Sequence, residues 1–151
     1  AHVNVSTLSF ILLLMGLSGF IGTVLIGSLL KTSVYPVLIS IPIVMAFLAT
    51  GLIAFGQSTI VCAVILAAWG LFSTSAPVGW WTWLARTLPR DAEAGGGLMV
   101  AVVQLAITLG ATCGGILFDD IGYQATFTAS ACVLGIAALL AFVTQRLTRQ
   151  P

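Results

Sequence analysis

Apolar residues fill five long stretches of this chain, and charge falls only between them. Residues 8–30, 36–55, 59–84, 97–118 and 125–144 contain no Asp, Glu, Lys or Arg and run to 23, 20, 26, 22 and 20 residues. A helix rises about 1.5 Å per residue, so about 20 residues cross a hydrocarbon core of about 30 Å. Each stretch is long enough. Buried helices of water-soluble domains seldom run so far without charge, and barrel strands would alternate apolar with polar positions. The pattern predicts an all-α, polytopic membrane protein with five transmembrane helices.

Composition sharpens the picture. Of 151 residues, 60% are apolar and 6% charged, against about 25% charged in ordinary soluble domains. A water-facing surface cannot be assembled from so little charge, which excludes a soluble enzyme and a disordered tail. The net charge of +1 is too small to call for a polyanionic partner, so no nucleic acid is expected and the lipid bilayer is. Cys62, Cys113 and Cys132 each sit inside an apolar run. Their spacing suggests neither a disulfide frame nor a metal site, and they are expected to act as small packing residues without metal or cofactor.

The basic residues set an orientation. If the spans alternate, Lys31, Arg86, Arg90, Arg146 and Arg149 all fall on one side, and Asp119 and Asp120 on the other. The basic side is expected to be cytoplasmic, which places the C-terminus inside and the N-terminus outside. The chain opens Ala1-His2-Val3-Asn4, with no initiator Met and no basic n-region. That opening is expected of a piece from the C-terminal part of a longer membrane protein.

Polar and small residues differentiate the spans. The first carries Gly16, Gly19, Thr23 and Gly27 at spacings of three and four, with Ser18 and Gly22 beside them; this suits close helix packing. The second and fifth are nearly all apolar and are expected to be peripheral and lipid-facing. In the third, Gly70, Pro77 and Gly79 interrupt the pattern around Ser73, Thr74 and Ser75. Pro77 removes a helical hydrogen bond, which predicts a bend, either beside a water-filled path or inside protein packing. The fourth shows a stripe of Gly97, Ala101, Gln104, Thr108, Thr112 and Gly115 opposite Leu98, Val102, Leu105, Leu109 and Ile116.

Gln104 is the leading candidate for a functional group, because an amide at membrane depth is costly without a ligand or another helix to meet it. Trp69 stands near mid-span with Phe72 and Ser73 on its face and could stack against an aromatic solute. Trp69, Phe72, Ser73, Gln104 and Thr108 form the candidate substrate-binding set. Trp80, Trp81 and Trp83 fall in the last turns before the basic loop, where an aromatic belt is expected.

A short repeat adds evidence of a different kind. Gly22, Gly27, Leu29 and Lys31 match Gly110, Gly115, Leu117 and Asp119 as Gly-x4-Gly-x-Leu-x-charge, 88 residues and three spans apart. An odd number of spans inverts one copy relative to the other, as an inverted three-plus-three repeat requires.

The segment Gly115-Ile116-Leu117-Phe118-Asp119-Asp120-Ile121-Gly122 resembles the Gly-x-Leu-x-Asp-x-x-Gly signature at the end of the eleventh helix of the major facilitator superfamily. Within it the chain is similar to the drug-and-metabolite proton antiporters. Phe20 to Thr23, Trp69-Gly70, Pro77 to Trp80, Thr82-Trp83, Val100 to Val102, Gln104 to Ala106 and Thr108 extend the likeness to the nucleoside-exporting branch. Lys31 departs from the pattern, standing where the loop after helix eight carries an acidic residue, and Trp81 replaces a smaller polar one.

The resemblance implies helices eight to twelve of a twelve-helix exporter, most of its C-terminal six-helix half, within the inner membrane of the cell. It implies a cavity bordered by helices eight, ten and eleven, between two halves that rock to give alternating access. It also implies as partners a small-molecule substrate (a purine ribonucleoside or a drug-like molecule), protons, the N-terminal half and the seventh helix.

A proton antiporter needs a titrating group in its path, and none of the five spans contains a carboxylate; the coupling acid is therefore expected outside these spans. Other readings stay open: a multidrug or sugar exporter, a passive channel, or a structural membrane subunit. An intramembrane enzyme would need clustered nucleophiles and acids at membrane depth, and the single His is His2 in the outer tail.

Overall fold

The computed structural model describes residues 4–148, all in five helices and the short turns between them. His2 and Arg149, used above for function and orientation, lie outside the described residues. The helices are α1 (Val5–Leu30), α2 (Tyr35–Phe55), α3 (Thr59–Thr87), α4 (Ala92–Asp120) and α5 (Tyr123–Thr148). All five are long and apolar enough to cross a membrane.

The helices overrun the uncharged stretches at their ends, taking in Arg86, Glu93, Asp119, Asp120 and Arg146. Charged groups in end turns reach the headgroup region, so they do not shorten a span. Local chemistry sets the boundaries. Ser58 accepts the Val61 N–H at 3.5 Å to start α3, and Pro36 sits in the first turn of α2, where a missing N–H is harmless. Gly122 ends α4 with φ +108° while its N–H donates to the Leu117 carbonyl at 3.1 Å, a backbone geometry that favours glycine.

The closest packing is between α1 and α3. Gly19 and Gly22 are buried, and a Cβ on Gly22 would run into the Leu71 carbonyl and stand 2.9 Å from Ser75 Oγ. From the other side, a Cβ on Gly70 would meet the backbone of Met15. Thr74 Oγ1 donates to the Gly19 carbonyl at 2.8 Å across this contact. The small residues of α1 therefore divide. Gly19 and Gly22 serve the α3 contact, while Gly16 and Gly27 would have no neighbour within 4 Å of a Cβ.

α2 buries Val37, Leu38, Ile41, Met45, Ala49 and Leu52, the largest buried set of any helix, while Pro36, Ser40, Ile43, Phe47 and Thr50 form an exposed stripe opposite. Val37, Leu38, Ile41 and Met45 share a core with Ile26 and Leu30 of α1, and Trp69, Phe72 and Trp83 of α3 pack against it. α4, by contrast, buries only Gly96. Hydropathy could not separate these cases, because lipid and protein interior are equally apolar surroundings for Leu or Ile. α3 is one continuous helix through Gly70, Pro77 and Gly79.

Candidate functional site

Spacings of three and four along α3 place Ser73, Ala76, Pro77 and Trp80 on one face. α4 faces it with Met99, Val100, Val103 and Gln104, and together with Trp81 these side chains line a half-open cavity of about 350 Å³. Small-molecule sites span roughly 300–1,000 Å³, so the volume suits a small solute. The walls are apolar except at Ser73 and Gln104. Ser73 Oγ donates to the Gly70 carbonyl at 3.2 Å. Pro77 has no N–H to return to the Ser73 carbonyl, so an acceptor without its helical partner stands beside the cavity.

The Gln104 side chain is exposed, and its amide makes no hydrogen bond among the described residues. Its neighbours on the polar stripe are satisfied locally: Thr108 Oγ1 donates to the Gln104 carbonyl and Thr112 Oγ1 to the Thr108 carbonyl, each at 2.9 Å. Thr108 is exposed on α4 and does not line this cavity.

The candidate set is therefore only partly brought together. Ser73 and Gln104 share one cavity. Trp69 lines a second, of about 690 Å³, with Gly110, Cys113 and Gly114 of α4 and Thr126 and Ser130 of α5. Val103 belongs to both walls. Phe72 lines neither and packs on the core shared by α1 and α2. The free thiols of Cys113 and Cys132 are exposed, Cys113 in the cleft shared by α3, α4 and α5 and Cys132 in one between α2 and α5.

Trp80 and Trp81, assigned above to an aromatic belt, line the first cavity. The signal was present in their spacing, since Trp80 follows Ser73 by seven residues and so returns to its face. The Trp81 ring rests on Gly96 of α4, where a Cβ would stand 3.1 Å away. Trp80 meets Trp83 edge-on, with ring centroids 5.9 Å apart.

Charge stays at the ends of the bundle. Arg86 donates to the Leu30 carbonyl at 2.8 Å, placing a guanidinium on the C-terminus of α1, and the Arg146 guanidinium lies 4.7 Å from the centre of the Phe142 ring. Among the described residues no group of three or more His, Cys, Asp or Glu is placed to hold a metal ion.

No protein-family model matches the chain, and no solved structure does. Curated relatives do. The chain is 54% identical over 146 residues, 97% of its length, to the transcription regulatory protein OpdE of Pseudomonas aeruginosa. It is 38% identical over 148 residues, 98% of its length, to the purine ribonucleoside efflux pump NepI of Salmonella enteritidis. It is 39% identical over 140 residues, 93% of its length, to the pump of that name in Escherichia coli. These matches cover 35%, 37% and 35% of the relatives, so the chain spans about a third of their length. Five membrane-length apolar helices, joined to this relationship, make the chain part of a multi-pass membrane protein.

Proposed function

We propose that the protein is an efflux transporter of the major facilitator superfamily, exporting purine ribonucleosides or similarly flat amphipathic solutes by proton antiport with alternating access. The observation that carries this reading is the 38% identity to purine ribonucleoside efflux pumps across 98% of the chain. The cavity between α3 and α4 fits it: two indole rings and a free amide, set in apolar walls, suit stacking on a heterocycle and hydrogen bonding to its edge.

In this proposal Ser73, Trp80, Trp81 and Gln104 contribute one side of the substrate path. Trp69 borders it through Val103, and Thr108 and Phe72 support the two helices. The rest of the path comes from the N-terminal half and the seventh helix of the transporter. The carboxylates Asp91, Glu93, Asp119 and Asp120 all lie near the ends of α4, so the proton-coupling acid belongs to those other helices. The basic end with Lys31, Arg86, Arg90 and Arg146 faces the cytoplasm of the inner membrane.

The name of the Pseudomonas relative raises a second reading, control of transcription. A DNA-contacting surface needs clustered cations to neutralise phosphates. Here Arg86 is engaged by Leu30 and the few other basic residues are spread over helix ends, so transport is favoured. The test is export of radiolabelled inosine and guanosine from cells that make the full-length protein and lack their own exporters. Export that stops when an uncoupler collapses the proton gradient is expected; retention of both nucleosides equal to that of empty cells would overturn the proposal.

A further inference from the structure

A directed chain of hydrogen bonds joins three helices at the basic end of the bundle. Trp83 Nε1 of α3 donates to the Tyr35 hydroxyl of α2 at 3.2 Å. Tyr35 donates to Thr148 Oγ1 of α5 at 3.1 Å, and Thr148 donates to the Thr144 carbonyl at 2.8 Å. Each hydroxyl accepts one bond and donates one, so every proton in the chain has a defined direction and the Trp83 indole is held at its nitrogen.

Trp83 is not a cavity residue, but Trp80 is. The two rings meet at 82°, edge to face, an arrangement in which the position of one plane constrains the other. Trp80 borders both the solute cavity and a smaller void of about 150 Å³ lined by Leu38, Met45 and Leu134. A ring that borders two voids has fewer packing neighbours to hold its plane. Its edge contact with Trp83 supplies what the voids do not.

We infer that Tyr35 and Thr148, on helices that contribute nothing to the α3–α4 cavity, are positioning residues for the solute: through Trp83 they fix the plane that Trp80 presents to a heterocyclic base. The inference rests on the export reading for its ligand, but the relay to Trp80 stands independently of it.

The experiment uses the full-length transporter labelled with 5-fluorotryptophan, with the Trp80 resonance assigned by its loss in Trp80→Phe. Tyr35→Phe keeps the ring and removes only the hydroxyl; Thr148→Val removes the next acceptor. Both are expected to shift or broaden the Trp80 resonance. Each is expected to raise the KM for guanosine about fivefold with Vmax little changed, the scale of one lost hydrogen bond.

In a Trp80→Leu background, which has its own raised KM, Tyr35→Phe is expected to add nothing, since its route to the solute is gone. A purely structural tyrosine would lower Vmax or stability equally in both backgrounds. An unmoved Trp80 resonance in Tyr35→Phe overturns the relay whatever the protein transports. A moved resonance with unchanged KM, or an equal KM effect in the Trp80→Leu background, overturns the positioning role. If the parent exports no purine nucleoside, the export reading fails and the positioning role falls with it, while the resonance still decides the relay.

Discussion

Gly22 of α1 and Leu71 of α3 meet backbone to backbone: a Cβ on Gly22 would stand 2.9 Å from the Leu71 carbonyl carbon and collide with its oxygen. Backbone cannot swing aside as a side chain does. Gly22→Ala is therefore expected to cost about 1–3 kcal/mol, the usual scale of overpacking. Gly51→Ala supplies the contrast, because its new methyl would meet only the movable Cδ1 of Ile65 at 3.3 Å. Thermal unfolding of the full-length protein in detergent should show a lowered midpoint for the first and little change for the second. Equal midpoints would mean that α1 and α3 are not in this contact.

Arg86 closes the far end of the same helix pair. Its guanidinium supplies a donor to the Leu30 carbonyl, where α1 has run out of its own N–H groups. Arg86→Met retains most of the apolar stem and removes the donor, with an expected loss of about 1 kcal/mol. Amide exchange around residues 28–32 is expected to quicken while exchange in the middle of α1 stays unchanged. Equal exchange throughout in variant and parent would remove Arg86 from this role.

The number and order of the helices were legible in the spacing of charge, because a charged residue in mid-membrane is penalised whatever the fold; their ends were not, since α4 runs to 29 residues and takes in charged end turns. Which face each helix buries was not legible. Leu38 and Ile41 are buried against protein while Leu105 and Leu109 are open, yet all four are the same kind of residue in a bilayer. Gln104 and Ser73 could be singled out as polar exceptions, but their convergence on one cavity depends on how α4 faces α3, which no local pattern encodes. The place of Trp80 on a cavity wall was not legible, because indole suits both a membrane interface and a solute wall.

Gly122 allows backbone strain to be tested apart from crowding. Nothing lies within 4 Å of a Cβ built there, while its φ of +108° is one that L side chains rarely adopt. Gly122→Ala is expected to cost about 1–2 kcal/mol through conformation alone. The loss should appear as a lower unfolding midpoint, with faster amide exchange at residues 121–126. Unaltered stability would show that the turn readily adopts another conformation.

Gln104 and Thr108 lie one turn apart on α4 and are both exposed, but only Gln104 borders the cavity, which separates cavity chemistry from helix chemistry. The Gln104 amide has no hydrogen-bond partner among the described residues and lines the cavity beside Ser73. The Thr108 hydroxyl is bonded to its own helix at the Gln104 carbonyl. Gln104→Leu keeps the bulk and removes every hydrogen bond an amide offers a solute. With one or two bonds at stake, export of guanosine by the full-length protein is expected to fall about tenfold at subsaturating concentration. Thr108→Val removes only a local bond and is expected to leave export within about twofold of the parent. Trp69→Ala opens the neighbouring cavity behind Val103 and is expected to fall between the two. If Thr108→Val proves the more damaging, the solute contacts the exposed stripe of α4 rather than the cavity. Unchanged export in all three variants would remove this face of α3 and α4 from the substrate path.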